Sequence, residues 1–183
     1  MRIVGGKFRG RRLFVPRGLD VRPTADRVRE AVFNILAGKV EGAHVLDLFA
    51  GTGALGLEAL SRGAAGALFV DRRPLALKTI KRNIAALGLE GSARILRTDL
   101  SRGPGGLRRE TGPFDLIFMD PPYGKGLVAP ALDMAARLKL AGPETQAVVE
   151  QSFREDPPRI GPDWTPAQER VYGRTRICFL NFK

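Results

Sequence analysis

Residues 43–56 read AHVLDLFAGTGALG, and this stretch decides the fold class. A short apolar run followed by a glycine-rich turn is typical of a buried strand that leads directly into a helix. Gly51, Gly53 and Gly56 match the pattern G-x-G-x-x-G, in which glycines let the backbone approach a ligand closely. The stretch therefore predicts a strand, a turn and a helix that hold a nucleotide-like ligand.

The alternation of strands and helices continues along the chain from this turn. Apolar runs predict five strands at 43–49, 66–71, 93–99, 114–120 and 146–152. Helical patterns predict helices at 24–37 with Thr24 as N-cap, from the glycine turn to Ser61, from Pro74 to about Gly88, and at 128–140. After a proline-rich loop, RVYGRT and RICFLNF predict a terminal pair of strands. We therefore expect an α/β, Rossmann-like fold with a seven-stranded, mostly parallel sheet and an antiparallel C-terminal hairpin.

Three aspartates end predicted strands beside the turn and favour a ligand without phosphate. Asp47 lies four residues before the first glycine, where it would repel a pyrophosphate and attract an amino group. Asp71 ends the next strand, where an acid holds ribose hydroxyls, and Asp99 suits the exocyclic amine of an adenine. S-adenosylmethionine has these three parts. The alternatives are an NAD-dependent oxidoreductase and aspartates that only cap helices.

Asp120, Pro121, Pro122 and Tyr123 follow the fourth apolar run and predict a site for a planar amine. Proline has no N–H group, so this loop offers hydrogen-bond acceptors and no backbone donor at two positions. The Asp120 side chain and the Pro121 carbonyl can hold both N–H groups of a base amine and free its lone pair for attack on a methyl group. The Tyr123 ring can stack on an extruded base. The alternative is a structural proline turn with Tyr123 as a packing residue.

The charge distribution favours a polyanionic partner. The chain has 30 Lys and Arg against 19 Asp and Glu, a formal net charge of +11. Residues 1–30 hold nine basic residues and three acidic ones. A basic surface of this kind suits nucleic acid, although a solvated face is the alternative. The first 18 residues predict a small basic β-hairpin that extends from a domain at 19–183.

Cysteine, histidine and apolar content exclude several classes of protein. One cysteine, Cys178, excludes an internal disulfide, and with one histidine, His44, it excludes the usual transition-metal clusters. We expect both to be packing residues in strands, and we expect no metal site. No stretch approaches the roughly 20 apolar residues of a membrane span, and the N-terminus lacks a signal-peptide core. We therefore place the protein in the cytoplasm, with no membrane partner.

The order of DLFAGTGALGLEAL, FVDRRP, RTDL and FMDPPY resembles the class I methyltransferases that modify base amino groups. RIVGGKFRGRRL followed by RPTADRVREAVFNIL is similar to the bacterial 16S ribosomal RNA guanine-N2 methyltransferases of the RsmD type, and the resemblance runs over essentially the whole chain. It implies methyl transfer from S-adenosylmethionine to N2 of a guanine in 16S rRNA, within a small-subunit particle.

The resemblance also implies a set of site residues. The cofactor is expected to contact Asp47, Phe49, Gly51, Gly53, Asp71, Arg72, Asp99 and Leu100. The guanine is expected to contact Asp120, Pro121, Pro122 and Tyr123. Substrate RNA is expected to contact Arg9, Arg11, Arg12, Arg22, Thr24 and Arg27, although Thr24 and Arg27 are equally explained as a helix cap and a surface arginine.

Two rival functions stay open at this point. A DNA or RNA adenine-N6 methyltransferase would share the Asp-Pro-Pro-Tyr stretch, although DNA enzymes commonly carry a large target-reading domain for which this chain has no room. A non-catalytic RNA-binding assembly factor would keep the fold, and intact Asp120 and Tyr123 argue against it.

Overall fold

The apolar run before the glycine turn forms an inner strand of a seven-stranded sheet. The computed structural model describes residues 1–16 and 26–183. The strands are β1 (His44–Leu48), β2 (Gly66–Asp71), β3 (Ala93–Arg97), β4 (Leu116–Met119), β5 (Gln146–Ser152), β6 (Trp164–Tyr172) and β7 (Thr175–Phe182). The helices are α1 (Asp26–Ile35), α2 (Ala54–Ser61), α3 (Pro74–Leu87) and α4 (Val128–Arg137), with a short 3₁₀ helix at Gly105–Arg109.

The strand order places a crevice at the end of β1. The order across the sheet is β3-β2-β1-β4-β5-β7-β6. Strands β1 to β5 are parallel, β7 is antiparallel to β5, and β6 is antiparallel to β7. The chain leaves β1 for β2 on one side and returns to β4 on the other, and open α/β sheets bind ligands at such a reversal. The predicted α/β, Rossmann-like sheet with its antiparallel C-terminal hairpin is confirmed.

Apolar side chains on both faces of the sheet pack under helices. In β1, Val45 points to the cluster beneath α1, α2 and α3, whereas Leu46 and Leu48 point to the cluster beneath α4. This alternation follows from the two-residue period of a strand. Burial on both faces fixes the register of β1, because a slip of one residue would bring Asp47 to the opposite face.

The largest errors in the predicted element boundaries are at β6 and at the end of α4. Strand β6 begins at Trp164, inside the segment expected to be a proline-rich loop, and the register shifts between Pro166 and Gln168. An edge strand tolerates a proline because its missing N–H can face solvent, and Trp164 is buried against Phe182. Helix α4 ends at Arg137, three residues before the expected end, because Lys139 adopts a left-handed φ of 56°.

His44 was expected to be a packing residue and is exposed at the first position of β1, whereas Cys178 is buried in β7. A residue that begins a strand at the rim of a sheet is not covered by the helices. None of the helices in the described ranges is long and apolar enough to cross a membrane.

The N-terminal arm (residues 1–16) packs against α2 and α3. Its hairpin character is limited to one antiparallel bridge, between Arg2 and Arg12. Ile3 and Leu13 are buried in the apolar cluster beneath α1, α2 and α3. The Ser61 hydroxyl donates to the Gly5 carbonyl at 2.6 Å. The arm therefore contributes to the core, and a boundary at residue 18 stays a prediction, since residues 17–25 lie outside the described part.

A buried ion pair fastens the arm and α1 to α2. Arg29 and Glu58 are both fully buried, with Arg29 Nε 3.5 Å from Glu58 Oε2. Arg29 also donates to Asp26 Oδ1 at 3.0 Å and to the Arg2 carbonyl. The backbone N–H of Val4 donates to Glu58 at 2.8 Å. Arg29, counted among the basic residues of the N-terminal region, is thus part of the interior and adds nothing to the surface charge.

Candidate active site

The carboxyl ends of the parallel strands border a cleft of about 790 Å³. This volume is within the range of small-molecule sites. The residues predicted for cofactor or guanine that line it are Asp47, Phe49, Gly51, Asp71, Arg72, Asp99, Leu100, Asp120, Pro121, Pro122 and Tyr123. Gly53 does not line the cleft and stands behind it as the N-cap of α2.

The glycine turn keeps the floor of the cleft open. Gly51 and Gly53 have φ values of 58° and 78°, a region that favours glycine. A Cβ atom on Gly56 would lie 2.4 Å from the Phe69 ring, so α2 can approach β2 only if this position carries no side chain. Phe49 also adopts a positive φ of 61°, and backbone strain in a non-glycine residue is concentrated at functional sites.

Asp47 is a buried carboxyl group at the centre of the cleft. Its side chain is 2% exposed, and Oδ2 accepts a hydrogen bond of 3.0 Å from the Gly56 N–H. Burial raises the pKa of Asp47 to about 7, and the nearby charge of Asp71 adds to the rise, while the bond from Gly56 opposes it. An incoming ammonium group would favour the ionised form of this carboxyl.

Asp71 is held by the glycine turn and by Arg73. Its Oδ2 accepts from the Gly51 N–H at 3.0 Å and from Arg73 Nη2 at 3.1 Å. Its Oδ1 accepts from the Arg73 backbone N–H at 2.8 Å and from Arg73 Nε at 3.2 Å. An ionised carboxylate offers about four acceptor positions, so these four bonds use all of them. A ligand hydroxyl at Asp71 must therefore displace the Arg73 side chain.

Asp99 lies at the more exposed end of the cleft. The Ser101 hydroxyl donates to it at 2.6 Å, and Arg72 and Arg102 approach it at 3.4 Å and 3.7 Å. The hydrogen bond from the Ser101 hydroxyl, together with Arg72, lowers the pKa of Asp99. Asp99 is thus a charged acceptor at neutral pH, in contrast to Asp47.

The Asp120 loop faces the strand-ending aspartates across the cleft. Asp120 directly follows β4, and burial raises the pKa of its carboxyl well above the ordinary value, with further contributions from Glu150 and Asp47. The Tyr123 hydroxyl donates to Glu150 Oε1 at 3.1 Å. Burial and the negative charge of Glu150 raise the pKa of Tyr123. The loop therefore presents acceptors and a half-buried ring to the same cleft.

Known proteins are similar to this chain along almost its full length. The family model described as "Conserved hypothetical protein 95" matches residues 1–181. The chain is 37% identical over 174 residues to Ribosomal RNA small subunit methyltransferase D of Escherichia coli (strain K12), covering 95% of this chain and 86% of that protein. The chain belongs to this methyltransferase family.

Other relatives of the family agree. The protein of the same name from Haemophilus influenzae is 33% identical over 178 residues, covering 94% of this chain and 89% of that protein. The solved structure of the Escherichia coli protein yhhF, named as a methyltransferase, superposes with a TM-score of 0.87 at 36% identity. That match covers 100% of this chain and 98% of the other. The resemblance to RsmD-type methyltransferases is confirmed, and so is the Rossmann-like methyltransferase fold.

The residues predicted for RNA lie outside the cleft or outside the described ranges. Arg9, Arg11 and Arg12 are exposed on the arm, and Arg27 is exposed on α1. Arg22 and Thr24 lie within residues 17–25, which the structure does not describe. The structure thus places three of the six on one segment, and their contact with RNA stays a prediction.

Sequence reasoning missed Arg73, which lines the cleft, and Glu150, which bonds to Tyr123. Arg73 donates hydrogen bonds to the Asp71 carboxylate and directly follows the predicted cofactor residue Arg72. Sequence order alone does not show which of the two arginines turns inward. Glu150, the partner of Tyr123, is the one acidic residue in the apolar strand QAVVEQS. A charge within a buried strand is a signal for a functional or paired group, and it was available in the sequence.

Proposed function

We propose that this methyltransferase transfers a methyl group from S-adenosylmethionine to the exocyclic N2 amine of a guanine in 16S rRNA of the small ribosomal subunit. The observation that carries the proposal is the single cleft in which the Asp120 loop faces Asp47, Asp71 and Asp99. The names of the relatives, which refer to ribosomal RNA of the small subunit, support the substrate class.

The cleft fits S-adenosylmethionine better than a pyrophosphate-containing dinucleotide. The open glycine turn carries no lysine or arginine, and its one charged side chain is Asp47. We assign the amino-acid end of the cofactor to Asp47 and Gly51, its ribose to Asp71, and its adenine to Asp99 and Leu100. Displacement of the Arg73 guanidinium would leave it beside the ribose. When bound, the cofactor supplies an electrophilic methyl group.

Asp120 and Pro121 would hold the nucleophile. The lone pair of a guanine amine is delocalised into the ring, so the nitrogen is a poor nucleophile until its geometry changes. Two acceptors, the Asp120 carboxylate and the Pro121 carbonyl, would engage both N–H groups and localise the lone pair. The methylated nitrogen then loses a proton to water, and no strong base is required because the ammonium product is acidic.

Tyr123 would support the extruded base. Base–aromatic stacking contributes roughly 1–3 kcal/mol per base. The bond from its hydroxyl to Glu150 restrains the position of the ring, which reduces the ordering that substrate binding requires. The exposed arginines of the arm, Arg9, Arg11 and Arg12, would contact phosphates of the RNA outside the cleft.

The affinity of the protein for S-adenosylhomocysteine is expected to rise about tenfold between pH 6 and pH 8. Asp47, with its pKa of about 7, must be ionised to hold the ammonium group, so at pH 6 binding must also release a proton. Calorimetric titration in buffers of different ionisation enthalpy measures both the affinity and the proton release.

The control for this titration is Asp47→Asn, in which binding is expected to be weaker and nearly independent of pH. The stability of the free protein has the opposite dependence on pH. The folded state favours the neutral Asp47 carboxyl, so this contribution to stability is lost as the pH rises through about 7. Tight binding of NAD without binding of S-adenosylhomocysteine would contradict the cofactor assignment.

A further inference from the structure

The outward face of α3 is basic and has no acidic residue to balance it. The helix reads PLALKTIKRNIAAL, and Lys78, Lys81 and Arg82 are exposed while Ile80 and Ile84 are buried on the opposite face. Like charges three and four residues apart repel one another, so this pattern does not stabilise the helix. Within the described ranges, none of the three cations forms an ion pair with a carboxylate.

An arginine cluster continues this basic face to the rim of the active site. Arg72, Arg97 and Arg102 border a second cavity of about 560 Å³ at the N-terminal end of α3, next to the cleft. Asp99 is the acid of this cavity, and it approaches Arg72 and Arg102 only at 3.4 Å and 3.7 Å. The side chains of Arg72 and Arg102 are 60% and 87% exposed, so these pairs are weak and the cluster stays strongly positive.

The N-terminal arm meets the opposite end of α3. Arg11 donates to the Ala86 carbonyl at 2.8 Å, and the Arg82 guanidinium lies 3.7 Å from the centre of the Phe14 ring. With 14 residues, α3 spans about 21 Å between the arm and the arginine cluster. The arm, the helix and the cluster therefore form one continuous positive surface that ends at the cleft.

We propose that the RNA backbone runs along α3, from the N-terminal arm to the rim of the cleft, with its phosphates on a track formed by Lys78, Lys81, Arg82, Arg97 and Arg102. This inference rests on the proposed RNA substrate and adds the path that the RNA takes. A base that enters the cleft leaves its flanking phosphates at the rim. Spaced cations along a surface are the arrangement that follows a nucleic-acid backbone.

Three sets of glutamine substitutions test the path. The track variant is Lys78→Gln with Lys81→Gln and Arg102→Gln. The control variant is Lys39→Gln with Arg137→Gln and Lys183→Gln, which removes the same charge from exposed positions in the α1–β1 loop, at the end of α4 and after β7. An arm variant, Arg9→Gln with Arg12→Gln, tests RNA contact by the arm independently. Calorimetry with S-adenosylhomocysteine establishes that each variant is folded.

The measurement is the dissociation constant for a small-subunit rRNA transcript over a series of salt concentrations. Each lost phosphate contact reduces the magnitude of the slope of the log dissociation constant against log salt by about 0.7–0.9. The track variant is therefore expected to reduce that magnitude by about 2, and the control variant to leave it unchanged. Equal slopes for the track and control variants, with RNA binding by the wild type intact, would overturn the path alone. Absence of salt-dependent RNA binding by the wild type would overturn the proposed function as well.

Discussion

Replacing Asp120 by alanine is expected to lower the rate of methyl transfer by about three orders of magnitude or more, while the protein folds and binds S-adenosylhomocysteine. The side chain is placed to orient the amine, and both misplacement of a nucleophile and loss of one transition-state hydrogen bond cost factors of about 10² to 10³. Single-turnover transfer of a labelled methyl group to small-subunit RNA measures the loss. Full activity in Asp120→Ala would refute the assigned role.

Asp120→Asn is the control that separates hydrogen bonding from proton abstraction. Asparagine keeps one acceptor oxygen, so partial activity is expected. Because the pKa of Asp120 is raised, the wild-type rate is expected to increase with pH as the carboxyl ionises, and the Asn variant is expected to lose that dependence. In the same loop, Tyr123→Ala is expected to lower the rate of methyl transfer strongly. Tyr123→Phe is expected to lower it less, because it keeps the stacking ring.

Replacing Glu58 by alanine is expected to lower the free energy of unfolding by about 3–5 kcal/mol. The substitution leaves the fully buried Arg29 without its buried carboxylate partner, with only the partly exposed Asp26 still paired to it, and removes the acceptor for the Val4 N–H. Denaturant unfolding followed by circular dichroism measures the change.

Glu30→Ala is the matched control for Glu58→Ala, since Glu30 is an exposed helical glutamate in α1. Its effect is expected to stay within about 0.5 kcal/mol. A loss in Glu58→Ala no larger than in Glu30→Ala would show that the buried pair does not fasten the arm. Because the arm also buries Ile3 and Leu13 in the core, RNA contact by the arm is tested by surface substitutions and not by deletion.

The sheet could be predicted because each of its inner strands is marked by a local run of apolar residues. Strands β2 and β5 coincide with the apolar runs at 66–71 and 146–152. Asp47 and Asp71 could be placed in one cleft because parallel strands bring their carboxyl ends to one edge. Strand β6 was shortened in the prediction because Pro166 suggests a loop, and only its position at the edge of the sheet makes that proline acceptable.

The partners of charged residues could not be predicted in the same way. In the sequence, Arg29 looks like a surface cation of one helix, and Glu58 looks like a surface anion of another. Their burial depends on a contact between residues far apart in sequence. Glu150 was missed for the same reason, since its partner Tyr123 lies 27 residues away in sequence. Arg73 is only two residues from Asp71, but sequence order does not show that its side chain turns toward that carboxylate.

The central claim, N2 methylation of a guanine, is tested most directly by nucleoside mass spectrometry of small-subunit rRNA from cells that lack this protein. We expect the loss of one N2-methylguanosine, restored by the wild-type protein and not by Asp120→Ala. Addition of the purified protein and S-adenosylmethionine to small-subunit particles from the deficient cells is expected to form the same nucleoside. Unchanged N2-methylguanosine in the deficient cells, or N6-methyladenosine as the product of the purified protein, would contradict the account.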